Sequence, residues 1–157
     1  MKFRSLMAMG LMASSVACGS GASTGGLDAD RVYSIALTSG AEVPAPKPTT
    51  ASGAALILVY PDRIEFQLQA SNITAITMAH IHSGAPGVAG PIVVTLFQPA
   101  SPTGAINGLF ASGSLSAGSL PQGVTVASLT SLLASGNAYV NVHTSANPLG
   151  EIRGQVQ

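Results

Sequence analysis

Charge is scarce in this chain. Only 8% of its 157 residues are charged, six basic against six acidic. No basic run or patch exists, so nucleic-acid binding has no electrostatic footprint. Tryptophan is absent, and cysteine occurs once, at Cys18, which excludes an internal disulfide. Beyond the N-terminus no long apolar run reads as a membrane span. Serines are abundant, yet no Gly-x-Ser-x-Gly elbow appears and no Ser-His-acid triad can be named. The glycine-rich run from Ser83 to Pro91 lacks the lysine and the strand-loop-helix setting of a phosphate loop. It reads instead as a tight loop in which glycine lets the backbone turn closely.

The N-terminus carries a different signal. Lys2 and Arg4 precede an apolar stretch from Leu6 to Val16, the length of a secretory h-region. That is short of the roughly 20 residues a bilayer-crossing helix takes. The stretch ends in Ser15-Val16-Ala17-Cys18, followed by Gly19-Ser20. Small residues before a lone cysteine resemble the bacterial lipobox, whose cysteine is acylated and becomes the new N-terminus. Ser15 replaces the leucine usual there. The alternative is an ordinary signal cut at an Ala-x-Ala-like site, but an unmodified exported thiol would be anomalous. The expectation is a signal peptide over 1–17, then a lipidated Cys18 and flexible tether over 18–30. One domain over 31–157 follows, on the periplasmic or cell-surface side of a bacterial membrane. Without Lys2 and Arg4, four basic side chains face six acidic ones, a formal charge of −2.

Short runs of period-2 alternation, separated by Gly, Pro, Ser and Asn, predict eight strands. They are Val32–Thr38, Ala54–Tyr60, Arg63–Ala70, Ile76–His82, Ile92–Phe97, Ile106–Leu115, Ala138–His143 and Glu151–Val156. Pro61-Asp62 is a tight turn, which makes the second and third a hairpin. In the third, Ile64, Phe66 and Leu68 face the core while the residues between them face water. Thr125 is placed to cap one short helix over Val126–Ser135, with Leu129, Leu132 and Leu133 on one face and Gly136 ending it. Eight short strands and one helix predict an all-β sandwich or barrel.

The chain holds three histidines. His80 and His82, at i and i+2 on a strand, point to one face and offer a bidentate grip for a transition metal. His143 ends a strand in which Val140 and Val142 face the core, so it lies on the opposite, outward face with Tyr139 and Asn141. If the two strands are neighbours the three imidazoles converge; spacing alone does not decide it. Glu151 and Arg153 share a face of the last strand. They form either an exposed ion pair of little worth or, with Asn141, partners that orient His143. Glu42 sits in a loop, as a site residue or as a solvated one.

Four segments resemble the CHRD domain, a family named from chordin and found in many bacterial exported proteins. They are Gly40-Ala41-Glu42-Val43-Pro44; Ala79-His80-Ile81-His82-Ser83-Gly84, running into Gly90-Pro91-Ile92-Val93; Gly136 to Thr144; and Asn147 to Gln155. The resemblance covers about residues 32–157. It implies an immunoglobulin-like Greek-key β-sandwich, distantly similar to copper/zinc superoxide dismutases. Chordin itself binds growth factors, partners not expected for a bacterial lipoprotein. By the dismutase likeness His80, His82, His143 and Arg153 occupy the places of part of a copper site. No fourth histidine, no zinc loop and no disulfide accompany them, so efficient superoxide dismutation is not expected. Three readings follow. The first is a membrane-tethered binding domain with a mononuclear copper or zinc site on His80, His82 and His143, with Glu151 or water as a fourth ligand. The second is a metal-free module for an envelope protein or polysaccharide, its histidines serving as hydrogen-bond anchors for loops. The third is a metal-dependent enzyme of weak redox activity.

Overall fold

The computed structural model describes residues 28–157. The expected signal peptide, the expected lipidation site Cys18 and most of the expected tether lie outside the described residues. Eight strands appear: β1 (Arg31–Thr38), β2 (Ser52–Val59), β3 (Arg63–Ile73), β4 (Ile76–Ser83), β5 (Ile92–Phe97), β6 (Ile106–Ser116), β7 (Ala138–Thr144) and β8 (Ile152–Gln155). Among the described residues one α-helix, α1 (Val126–Ala134), joins β6 to β7, and one 3₁₀ turn (Ser39–Ala41) follows β1. Among the described residues no helix is long and apolar enough to cross a membrane.

All pairs are antiparallel, and the strands form one sheet in the order β5-β4-β7-β8-β1-β2-β3-β6. The halves β5-β4-β7-β8 and β1-β2-β3-β6 are joined through β1 and β8, whose ladder has the single register pair Thr38↔Arg153. That narrow junction lets the sheet curl until its two edges approach. Phe97 of β5 and Phe110 of β6 close the seam edge to face, 5.4 Å between ring centres. The result is the expected all-β sandwich, realised as a nearly closed sheet around one core.

Alternation builds that core. In β3, Ile64, Phe66 and Leu68 are buried while Gln67 and Gln69 are exposed. Ile35 and Leu37 of β1 and Ile57 and Val59 of β2 supply the facing surface. The expected β2–β3 hairpin is present, its turn closed by Tyr60 N–H donating to Arg63 O at 2.9 Å. Tyr60 therefore belongs to the turn and not to β2. Thr125 caps α1 through a reciprocal pair with Ser128. Leu129 and Leu133 are buried and Leu132 packs at the edge, while Gly136 adopts φ 71° just past the helix. Burying each leucine stabilises by about 1.5–3 kcal/mol.

The second face of β4, β7 and β8 departs from expectation. Every residue of β7 is buried. The loops 39–51, 84–91 and 145–150 fold over the face that alternation assigns to solvent, and a second, polar interior lies beneath them.

Candidate metal centre

The sheet brings the histidines together. β4 pairs with β7, placing His80 opposite Asn141, His82 opposite Tyr139 and Met78 opposite His143. Asn141 in turn faces Arg153 on β8. Ala79, Ile81, Val140 and Val142 point into the apolar core, so the polar members of both strands share the other face. His80, His82 and His143, separated by up to 63 residues in sequence, are all buried there. One nitrogen from each lies within 4.8 Å of the other two.

Loop carbonyls fix two of the rings. His82 Nδ1 lies 2.8 Å from Gly90 O, and His143 Nδ1 lies 3.0 Å from Pro148 O. A carbonyl only accepts, so each Nδ1 carries the proton and each Nε2 is left with a lone pair. His143 Nε2 is 3.0 Å from His80 Nδ1. His82 Nε2 is buried without a partner. Backbone carbonyls holding the far nitrogen are the usual support of a metal-bound imidazole. Nitrogens on one metal at about 2.0–2.1 Å stand about 3.3 Å apart at tetrahedral angles. The His80–His143 pair is already near that spacing, and the widest separation, within 4.8 Å, has up to about 1.5 Å to close.

The electrostatics keep the rings neutral. Burial, then the neighbouring His143 and His82, push His80 down to about 4. Burial also lowers His82 and His143, against the opposing carbonyls of Gly90 and Pro148. Neutral imidazole is the ligating form.

Packing holds His82 from one side. Its ring stacks on Tyr139 at 4.7 Å, the planes within 9°, and the Arg153 guanidinium lies 3.4 Å from the centre of the same tyrosine ring. The Tyr139 hydroxyl accepts from Gly90 N–H at 3.0 Å and donates to Gly90 O at 3.3 Å. Gly90 is thus anchored to both aromatic rings. A Cβ there would overlap the Ser83 carbonyl. Arg153 Nη2 donates to Ala85 O, and Gln155 Nε2 donates to Gly84 O and Gly136 O. The 84–91 loop is therefore tied down along its length.

Two acids behave differently from the expectation. Glu151 and Arg153 form neither an exposed pair nor a direct contact in the hydrogen-bond network; both are buried. Glu151 accepts from Thr49 Oγ1 at 2.6 Å and from Thr144 Oγ1. Burial alone would raise its carboxyl, but these hydroxyls and Asn147 outweigh that and hold it low. Its oxygens are spent on joining loops, which argues against Glu151 as the fourth ligand. Glu42 is also buried rather than solvated, its carboxyl packed against Gly150 where a Cβ would strike it. Burial pushes it up to about 7, against the pull of the Arg153 charge and the Asn141 side chain. Glu42 Oε1, Asn141 Oδ1 and Arg153 Nη1 are, like His82 Nε2, buried without partners. Tyr139 is the member that the sequence reading left without a role. Its place on the same face as His143 was visible, but its stacking depends on the β4–β7 register.

Residues 33–156 match the CHRD domain, which is most of the chain. The chain belongs to the CHRD-domain family. No curated protein and no solved structure gives a significant match. The CHRD motifs fall on the site: the His-x-His strand is β4, the glycine-rich run is the loop over Tyr139, and the segment ending in His143 is β7. All three histidines of the chain are in the cluster, so no further imidazole is left to bridge a second metal.

Proposed function

We propose that this CHRD domain is an exported, lipid-anchored binding domain that holds one copper or zinc ion on His80, His82 and His143. The carrying observation is the division of labour within the rings. His82 and His143 give Nδ1–H to loop carbonyls, which leaves each Nε2 with a lone pair for a metal, and His143 Nε2 lies 3.0 Å from His80 Nδ1. Three imidazoles suit either metal, and geometry and supply decide between them more than affinity order does; copper is preferred for the likeness of the motifs to a dismutase copper site. A lipid on Cys18 would keep the domain at the membrane, and residues 19–30 would serve as its tether.

The test is metal content by mass spectrometry on the detergent-extracted chain, after incubation with copper and zinc and removal of excess ion. The triple variant His80→Ala/His82→Ala/His143→Ala is measured beside it. The reading expects about one ion per chain, lost in the variant. Absence of metal from the wild type would leave the second reading, in which His82 and His143 serve to anchor the 84–91 and 145–150 loops of a metal-free interaction module. The same carbonyl contacts support that role.

A further inference from the structure

The chain has five methionines, four of them within its first twelve residues, and one cysteine at position 18. Met78 is therefore the only sulfur-bearing side chain after Cys18. It stands on β4 two residues before His80 and directly opposite His143 on β7. Ala79 and Ile81 take the core face of β4, so Met78 shares the face of His80 and His82. Directly opposed residues on one face have Cβ atoms about 4.5–5.5 Å apart, a gap that a flexible thioether side chain can cross. Met78 is half-buried, on the same strand face as the buried His80 and His82.

The surrounding charges favour an ion of low charge. All three imidazoles are neutral donors. The Arg153 guanidinium is buried against Tyr139, with Nη1 unpartnered, and the nearby Glu42 carboxyl, pushed up to about 7 by burial, offsets its charge only in part. Glu151 directs both oxygens at threonine hydroxyls. Desolvation and repulsion from a fixed positive group both rise with the charge of the ion, and a thioether is a soft donor that selects Cu(I).

We infer that Met78 supplies a fourth, thioether donor and that the site selects Cu(I) over Zn(II). This rests on the three-histidine site proposed above. The test compares the detergent-extracted wild-type chain with Met78→Leu, a swap of similar volume that the packing tolerates. Cu(I) affinity is read anaerobically by competition with bathocuproine disulfonate, Zn(II) affinity by a chromophoric chelator, and the copper shell by X-ray absorption. The expected result is Cu(I) affinity weakened about tenfold or more in Met78→Leu, with one sulfur scatterer lost and Zn(II) affinity within about twofold of wild type. Unchanged Cu(I) affinity and an unchanged spectrum would overturn the role of Met78. So would equal losses for both ions, which would mark a packing effect. Failure of the wild type to bind any ion would overturn the three-histidine site itself.

Discussion

His80 Nδ1 and His143 Nε2 lie 3.0 Å apart, although the residues are 63 positions apart in the chain. Because His143 Nδ1–H is committed to Pro148 O, its Nε2 is the acceptor and His80 Nδ1–H the donor. Without metal, this hydrogen bond spans two of the proposed ligands. An ion taken up between them replaces the bond: His80 loses its Nδ1 proton to solvent and stays neutral by carrying one on Nε2, while His143 Nδ1–H stays on Pro148 O.

Gly90 joins the loop to the site. A Cβ at this position forces the backbone away from Ser83 O and pulls on the carbonyl that holds His82 and Tyr139. Gly90→Ala is expected to lose about 2–4 kcal/mol of stability in urea unfolding and about tenfold or more in metal affinity. Gly87, in the same loop with φ 77° and open space around it, provides the control. Gly87→Ala should cost about 1–2 kcal/mol and leave metal affinity unchanged.

The pH dependence of the metal-free domain has two opposing parts. Each site histidine is lowered in the folded state, to about 4 for His80. Their contribution is complete above the unfolded value of about 6.5 and is lost as pH falls below it. Glu42 is raised to about 7, so its contribution is complete below about 4.5 and is lost as pH rises through 7. Glu42→Gln removes the second part. Urea unfolding in chelator should therefore show the variant losing stability more steeply than wild type between pH 6.5 and 4.5. Parallel curves would mean that Glu42 titrates alike in both states.

Membrane attachment is expected to depend on one atom, the Cys18 sulfur. Cells fed labelled palmitate should incorporate it into the wild-type chain and not into Cys18→Ser. Equal labelling of both would contradict the anchor.

Much of this architecture was legible in the sequence. The alternation in β3, the Pro61-Asp62 turn and the Thr125 cap are local signals, and the structure contains all three. His80 and His82 had to share a face because strand geometry has period 2. The partner of β4 was not legible. That β7 lies beside it is a long-range pairing, and no local preference encodes it. The burial of Glu42, Glu151 and Arg153 was missed for a related reason. Alternation shows which residues avoid the apolar core, but not whether a loop will cover them. Here Thr49, Asn147 and Gly150 bring two loops down over that face. By sequence Glu151 is a possible ligand; its two threonine donors give it a structural task instead.

The most direct test of a single three-histidine site is nitrogen NMR of the imidazoles during titration with a diamagnetic ion, Zn(II) or anaerobic Cu(I). Before metal, His82 and His143 should both appear as Nδ1–H tautomers. On titration, all three rings should shift together and saturate at one ion per chain, with the two Nδ1 protons retained. Rings that respond separately, saturate at different ratios or do not respond would contradict a shared site.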